Sequence, residues 1–159
     1  MKKFAQRPNA ARQGGFTLIE LLIVISIIAI LAVTVFVALD PVKRFADARN
    51  SRRWADVDNI LTAVHQSIVD NKGALPTGLT TGMVETQLGT DATGCNTCGS
   101  ATACVDLSTP LSKYLKSMPL DAGSGTTGKT GYSIIVDANN IVTVSACNAE
   151  SGSVINVSR

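Results

Sequence analysis

The chain is poor in aromatic residues, in charge and in histidine. Only 4% of its 159 residues are aromatic, which leaves few large side chains to anchor a deep core. Charged residues make up 16%, less than a soluble domain ordinarily carries, whereas 45% of residues are hydrophobic. This balance excludes a disordered chain and indicates a segment embedded in apolar surroundings. The net charge of +2 is too small to indicate a nucleic-acid-binding protein, and the length allows one small domain with an appendage.

Positive charge is concentrated at the N-terminus. Residues 1–15 contain no acidic residue and four basic ones, Lys2, Lys3, Arg7 and Arg12. The remainder of the chain contains ten basic and twelve acidic residues, so its net charge is negative. Loss of the first fifteen residues would therefore reverse the sign of the protein's charge.

A long apolar block follows this basic segment. Between Leu21 and Leu39 only Ser26 and Thr34 are polar. A helix over residues 16–39 rises about 36 Å, enough to cross a hydrocarbon core of about 30 Å. A buried core helix is the alternative, but so short a chain could hardly cover these residues on every side. A cleaved secretory signal has a shorter apolar region and a small-residue cleavage site after it, so we expect a retained membrane anchor.

Glu20 stands inside the apolar run, where an ionised group is costly. One interpretation is that its carboxylate only reaches the lipid headgroups. The other is that it meets a cation, and a cut after Gly15 would create one, the α-amino group of Phe16. Such an amine could pair with Glu20 in the same chain or in a neighbouring one.

These residues resemble a known family. The stretch from Gly14 to Leu22 (GGFTLIELL), between a basic leader and an apolar helix, is similar to the prepilin motif of type IV pilins and type II secretion pseudopilins. The resemblance implies cleavage between Gly15 and Phe16 by a prepilin peptidase, N-methylation of Phe16, and a role for Glu20 in subunit assembly. It also implies an inner-membrane assembly platform and a filament of copies of this chain and related pilins.

Helical periodicity resumes after Asp40-Pro41, where a kink is expected. Apolar residues recur at steps of three or four up to Ile68, and Asn71-Lys72-Gly73 provides a stop signal. We therefore expect an α+β fold, in which a long bent N-terminal helix packs its amphipathic back half on a small antiparallel sheet, as pilin-like proteins do. The expected segments are a leader (1–15), a transmembrane or filament-core helix (16–39), an amphipathic helix (40–72) and a small α+β domain (73–159).

Five basic residues lie between residues 43 and 53. They could bind anionic headgroups or DNA. The spacing of acidic and basic residues favours a solvated face, or ion pairs with the helix's own acidic residues or those of adjacent subunits, Asp40, Asp47, Asp56 and Asp58.

The second half contains short elements. Residues 74–104 are predicted to form a loop with at most one short helix or strand, and a short helix is predicted between Asp106 or Ser108 and Pro119. Residues 121–131 are predicted to be a flexible turn. A hairpin of Tyr132–Asp137 and Ile141–Cys147 follows, with a third strand at Val154–Val157. The region also resembles pseudopilins more weakly, at residues 73–76 (GALP) and 114–121 (YLKSMPLD). It departs from their usual pattern at Ala122 and lacks an evident acidic calcium loop.

The four cysteines are spaced C-x2-C-x5-C-x42-C, at positions 95, 98, 104 and 147. The close pair, Cys95 and Cys98, could indicate zinc or a thioredoxin-type redox motif. Two disulfides are favoured because the pair lies in a Gly/Thr loop beyond a membrane anchor, which also favours a C-terminal part outside the cytoplasm. Three connectivities are possible for Cys95, Cys98, Cys104 and Cys147.

No catalytic constellation is apparent. The only histidine, His65, lies in the amphipathic helix and is expected on its surface, and the glycines of 123–131 lead into a strand rather than a phosphate-binding helix. We expect no enzyme activity, no cofactor and no metal. The leading hypothesis is a filament subunit that starts as a single-pass inner-membrane protein and ends in an extracellular or periplasmic filament. The alternatives are a membrane-anchored extracytoplasmic binding domain that never polymerises and a DNA-uptake pilin.

Overall fold

The structure is a computed structural model that describes residues 14–159, so the four basic residues of the leader, Lys2, Lys3, Arg7 and Arg12, lie outside the described residues. The chain divides into two units, Met1–Pro41 and Val42–Arg159. The first contains helix α1 (Leu18–Leu39). The second contains nearly all of helix α2 (Pro41–Asp70) and a four-stranded sheet, so the fold is α+β as predicted.

Helix α1 spans 22 residues and begins with a capping box. Thr17 Oγ1 accepts the backbone N–H of Glu20 at 3.3 Å, and the Glu20 carboxylate accepts the backbone N–H of Thr17 at 2.9 Å. The hydroxyls of Ser26 and Thr34 donate to carbonyls of the preceding turn. Both polar groups inside the apolar run are therefore satisfied by the helix itself.

The helical path is interrupted where Asp40-Pro41 predicted a kink. Asp40 adopts a left-handed conformation, with φ of 37°, and Pro41 begins the next helix, where a missing N–H costs nothing. By length and composition alone, the stretch Leu18–Asp70 contains a segment able to cross a membrane.

Helix α2 ends at the predicted stop signal. Gly73 donates its N–H to the carbonyl of Ile68 at 2.8 Å, and Lys72, with φ of 55°, donates to Val69. This pair of bonds is a Schellman motif, which satisfies the last carbonyls of the helix.

The sheet has the order β1-β2-β3-β4 and is antiparallel throughout. Its strands are β1 (Met83–Gln87), β2 (Tyr132–Val136), β3 (Val142–Ala146) and β4 (Asn156–Ser158). Alternate residues of β2 and β3 face α2, and together with apolar α2 side chains they form the core, with Val57, Ile60, Leu61, Val64, Tyr132, Ile134, Val136, Val142 and Val144 all fully buried.

The predicted hairpin is confirmed, because β2 and β3 pair through the turn at Asn139 and Asn140. The third predicted strand is displaced towards the C-terminus and forms β4. Strand β1 lies within residues 74–104, where at most one short helix or strand was expected.

The short helix predicted before Pro119 is wrong. The Asp106 carboxylate accepts the N–H of Ser108 at 2.8 Å, as a capping residue would, but only successive turns follow. Pro110 removes a backbone donor in so short a segment, and a helix of this length gains too few bonds to offset nucleation.

Residues 121–131 form turns, as predicted, and the loop is anchored at its base. Asp121 is buried, and its backbone N–H donates to the carbonyl of Thr130 at 2.8 Å. A Cβ at Gly125 would lie 2.3 Å from Asp121 N, so the loop closes on itself where only glycine fits. The loop leads directly into β2, as expected from the sequence, rather than into a helix.

Candidate functional site

The first candidate site is the N-terminal end of α1. Among the described residues, no atom lies within 4 Å of a Cβ added at Gly14 or Gly15, and Phe16 is 92% exposed. Glu20 Oε2 accepts both the N–H and the hydroxyl of Thr17, at 2.9 and 2.8 Å. The structure therefore places an accessible peptide segment next to a carboxylate that keeps its other oxygen, Oε1, uncommitted among the described residues.

The surface of α1 is apolar on every side and no residue of the helix is buried. Its exposed side chains include Leu18, Ile23, Ile27, Ile30, Leu31, Val35 and Phe36. A continuous apolar surface of this size is far larger than soluble monomers expose, so it indicates a surrounding of lipid or of other apolar helices.

The second site is a buried ion-pair cluster centred on Arg53, which is 1% exposed. Its guanidinium donates to both carboxylate oxygens of Asp121, and its Nη1 donates to Glu150 at 2.8 Å and to Asn50 at 2.9 Å. Arg49 adds a further bond to Glu150, at 2.7 Å. We call these five residues the Arg53 cluster. It fastens α2 to the 121–131 loop and to the segment after β3.

The electrostatics of the Arg53 cluster favour its charged state. Burial alone would raise the pKa of Asp121, but the hydrogen bonds and charge of Arg53, with the N–H groups of Gly123 and Ser124, hold that pKa below its ordinary value. Hydrogen bonds from Arg49 and Arg53 lower the pKa of Glu150 to about 2. The bond to Asp121 raises the pKa of Arg53.

The solvated face expected for the basic segment is therefore wrong for Arg53. Its partners lie 68 and 97 positions away in sequence, beyond the reach of helix spacing. Arg52 does follow the expected pattern, with Asp56 at 3.7 Å one turn on. Asp56 also accepts the hydroxyl of Tyr132 at 2.7 Å, and burial together with this bond raises the pKa of Tyr132.

All four cysteines are in disulfides, Cys95 with Cys104 and Cys98 with Cys147. The close pair Cys95 and Cys98 is not joined to itself, which argues against a thioredoxin-type motif. Among residues 14–159 no group of three or more metal-ligating side chains occurs.

The disulfide loop covers the free edge of β1. Ser100 donates to the carbonyl of Glu85 at 2.8 Å, and Val105 donates to Gln87 at 2.9 Å. Gly99 has φ of 113°, and a Cβ there would lie 2.3 Å from the Glu85 carbonyl oxygen. The loop therefore approaches the strand where only glycine fits, and it pairs backbone groups that would otherwise be open to strand addition.

His65 is half-buried on α2, more enclosed than the expected surface position. Its Nε2 is buried without a hydrogen-bond partner among the described residues. Asp70, five residues further along α2, binds Lys113 at 2.6 Å and Tyr114 at 2.8 Å, and these bonds lower the pKa of Asp70. No nucleophile is paired with His65 in this part of the chain.

The cluster residues on the sheet side were not identified from sequence. Asp121 lies in the Pro119-Leu120-Asp121 stretch that resembles pseudopilins, which was a signal for the position but not for its partner. Glu150 has no comparable signal, because nothing local distinguishes it from a solvated acidic residue.

Residues 10–36 match the family described as the prokaryotic N-terminal methylation motif. The match covers Gly15, Phe16, Glu20 and most of α1, and it does not extend into Val42–Arg159. No curated protein and no solved structure matches the chain.

Proposed function

Because the chain carries the prepilin-type N-terminal methylation motif of type IV pilins and pseudopilins, we propose that it is the membrane-anchored precursor of a filament subunit. The observation that carries the proposal is the combination of this motif with a helix that, beyond Glu20 in its first turn, is apolar on every side and has no buried residue in the described part of the chain. The role is structural, and the chain supplies contacts rather than a reaction.

Processing begins at the Gly15–Phe16 peptide bond. A prepilin peptidase hydrolyses this bond with one water, releasing residues 1–15 and leaving an α-amino group on Phe16. A methyl donor then transfers one methyl group to this nitrogen, which loses one proton. The open surroundings of Gly14 and Gly15 support access by the peptidase. Loss of residues 1–15 also removes four basic residues and makes the net charge of the remaining chain negative.

Glu20 then guides assembly. Glu20 Oε2 accepts hydrogen bonds from Thr17, and Oε1 can accept a hydrogen bond from the α-amino group of Phe16 in a neighbouring subunit. An ionised carboxylate in apolar surroundings is costly without a cation, so this pair favours one position of the incoming chain over others.

The apolar surface of α1 makes the transfer into a filament feasible. Lipid tails and a bundle of similar helices are equally apolar, so α1 leaves the bilayer without exposing its side chains to water. We place the precursor in the inner membrane with Val42–Arg159 outside the cytoplasm, and the assembled subunit in a periplasmic or extracellular filament built on an inner-membrane assembly platform.

The test is Glu20→Gln, which keeps the size of the side chain and removes its charge. Membrane insertion and leader cleavage should persist, whereas sheared or isolated filaments should be lost. Ser26→Ala is the matched control, because Ser26 lies in the same helix and its hydroxyl donates to the carbonyl of Leu22, one turn back. Normal filaments from Glu20→Gln would remove the role assigned to this residue.

Two alternatives are less well supported. A membrane-anchored binding domain that never polymerises leaves the methylation motif without a purpose. A DNA-uptake pilin needs free cations, but three of the five basic residues between 43 and 53, Arg49, Arg52 and Arg53, already face carboxylates. Strong salt-dependent DNA binding by the full chain would reverse this preference.

A further inference from the structure

One exposed side of α2 combines an aromatic residue with two acidic ones. Asp47, Trp54 and Asp58 are spaced i, i+7 and i+11, which places them within about 40° around a helix. Trp54, the only tryptophan, is 46% exposed. Asp58 has one distant partner, Arg159 at 3.4 Å, and both side chains are more than half exposed. We call these three residues the Trp54 face.

A cleft of complementary character lies elsewhere in the same unit. It has a volume of about 620 Å³, within the range of ligand-sized cavities, and is lined by apolar side chains that include Leu107, Met118, Pro119 and Leu120. Two cations, Arg52 and Lys116, line it too. We call it the Lys116 cleft. Among the described residues that line the cleft, Asp106 is the one acidic residue, and hydrogen bonds from Ser108 hold the pKa of Asp106 below its usual range.

The two surfaces lie on different sides of α2. Arg52 precedes Trp54 by two residues, which is a rotation of about 160° around the helix axis. The buried face of α2, which carries Val57 and Val64, lies between them. Trp54 and Arg52, which lines the Lys116 cleft, therefore project from different sides of α2.

We propose that the Trp54 face of one copy docks into the Lys116 cleft of the next copy. The indole packs on the apolar lining, and the carboxylates of Asp47 and Asp58 meet Lys116. Arg52, which is 64% exposed and has Asp56 at 3.7 Å, adds a second positive charge to the cleft. Tryptophan and arginine are the residue types enriched at the energetic centres of interfaces. The occupant is a second copy of this chain because the same unit carries both complementary surfaces.

The geometry makes this contact heterologous. Each copy uses one surface towards its predecessor and the other towards its successor, so the association continues rather than closing as a twofold dimer. This inference rests on the proposed filament and adds a contact between the Val42–Arg159 units, independent of Glu20 and Phe16.

The first test uses charge reversal in the full-length chain in cells. Lys116→Glu places a like charge against Asp47 and Asp58, and filament yield should fall about tenfold or more. Asp47→Lys should fall similarly, and the double variant should recover at least part of the yield. Lys72→Glu, an exposed lysine outside the cleft, is the control and should leave the yield unchanged.

The second test uses Trp54 as its own reporter. In filaments its fluorescence should be quenched by acrylamide several-fold less than in the detergent-dispersed full-length subunit. This contact would be refuted if acrylamide quenched Trp54 equally in filaments and in the dispersed subunit, or if Lys116→Glu and Asp47→Lys left the filament yield unchanged. Either result would leave the proposed filament itself unaffected. A wild-type chain that forms no filaments would overturn the proposed function, and this contact with it.

Discussion

The Arg53 cluster provides the sharpest test of how the Val42–Arg159 unit is held together. In Arg53→Met the side chain keeps much of its length and apolar stem but loses the guanidinium. Asp121, which is 5% exposed, then retains hydrogen bonds from Gly123 and Ser124 but has lost its cation. Glu150 keeps Arg49.

Breaking a buried ion pair by removing one partner typically costs about 3–5 kcal/mol, because the remaining charge is buried and uncompensated. For a unit of this size that corresponds to a fall in melting temperature on the order of 10–20 °C. The adjacent variant Arg52→Met is a matched control, because its side chain is 64% exposed and lies 3.7 Å from Asp56. Arg52 is largely solvated and Asp56 keeps its hydrogen bond from Tyr132 in this control, so the loss should be about 0–1 kcal/mol and the control should melt close to wild type.

The effect of Arg53→Met should depend on pH. In wild type the lowered pKa of Asp121 stabilises the fold above the unfolded value of about 3.9, and this stabilisation is lost as pH falls through the folded pKa. In the variant, burial raises the folded pKa of Asp121, so folding is penalised at neutral pH and the penalty disappears in acid. The stability difference should therefore be largest at neutral pH and narrow below about pH 4.

The assay is thermal unfolding of the full-length chain in detergent, monitored by scanning calorimetry at several pH values. Equal melting temperatures for the two methionine variants, or a stability gap that does not change with pH, would refute the reasoning about the Arg53 cluster.

The remaining predictions concern the loops and Glu150. Replacing Cys98 and Cys147 together by serine opens a closure of 49 residues and should cost about 4 kcal/mol on the chain-entropy model, measured as a lower melting temperature under non-reducing conditions. Gly99→Ala should lower the free energy of unfolding by about 1–3 kcal/mol through its backbone conformation, and by more because the added Cβ overlaps the Glu85 carbonyl. Gly82→Ala meets no atom within 4 Å among the described residues and should cost less. Equal costs for the two variants would contradict the close approach at Gly99. The folded state lowers the pKa of Glu150 to about 2, so the stability that Glu150 contributes is present above its unfolded pKa of about 4.5 and is lost as pH falls towards 2. In Glu150→Gln the melting temperature should therefore change less with pH over this interval than it does in wild type.

The local features of the fold followed from the sequence. The stop signal at Asn71-Lys72-Gly73 and the hairpin of β2 and β3 depend on residues close together in the chain, where spacing and turn chemistry are informative. The prepilin-like segment was also evident, because its basic leader, Gly15, Phe16 and Glu20 lie close together in the sequence.

Long-range partners did not follow from the sequence. Helix spacing predicted only acidic residues of the same helix as partners for Arg53. Its actual partners, Asp121 and Glu150, lie far away in the sequence and approach Arg53 through the folding of the sheet and its loops. The short helix before Pro119 failed for a related reason, because a capping residue such as Asp106 does not outweigh nucleation cost and a proline.

The disulfide pairing could be assigned only from the three-dimensional structure. Cys98 lies closest in sequence to Cys95 but bonds with Cys147, since the 95–104 loop folds over the β1 edge and reaches the end of β3. Spacing alone allowed three connectivities and could not choose among them.

The most direct measurement is mass spectrometry of the N-terminus of the protein isolated from its native membrane. A filament subunit made from a cleaved precursor should begin at Phe16 and carry an N-methyl group. A polypeptide that begins at Met1 and carries an unmodified leader would contradict the account.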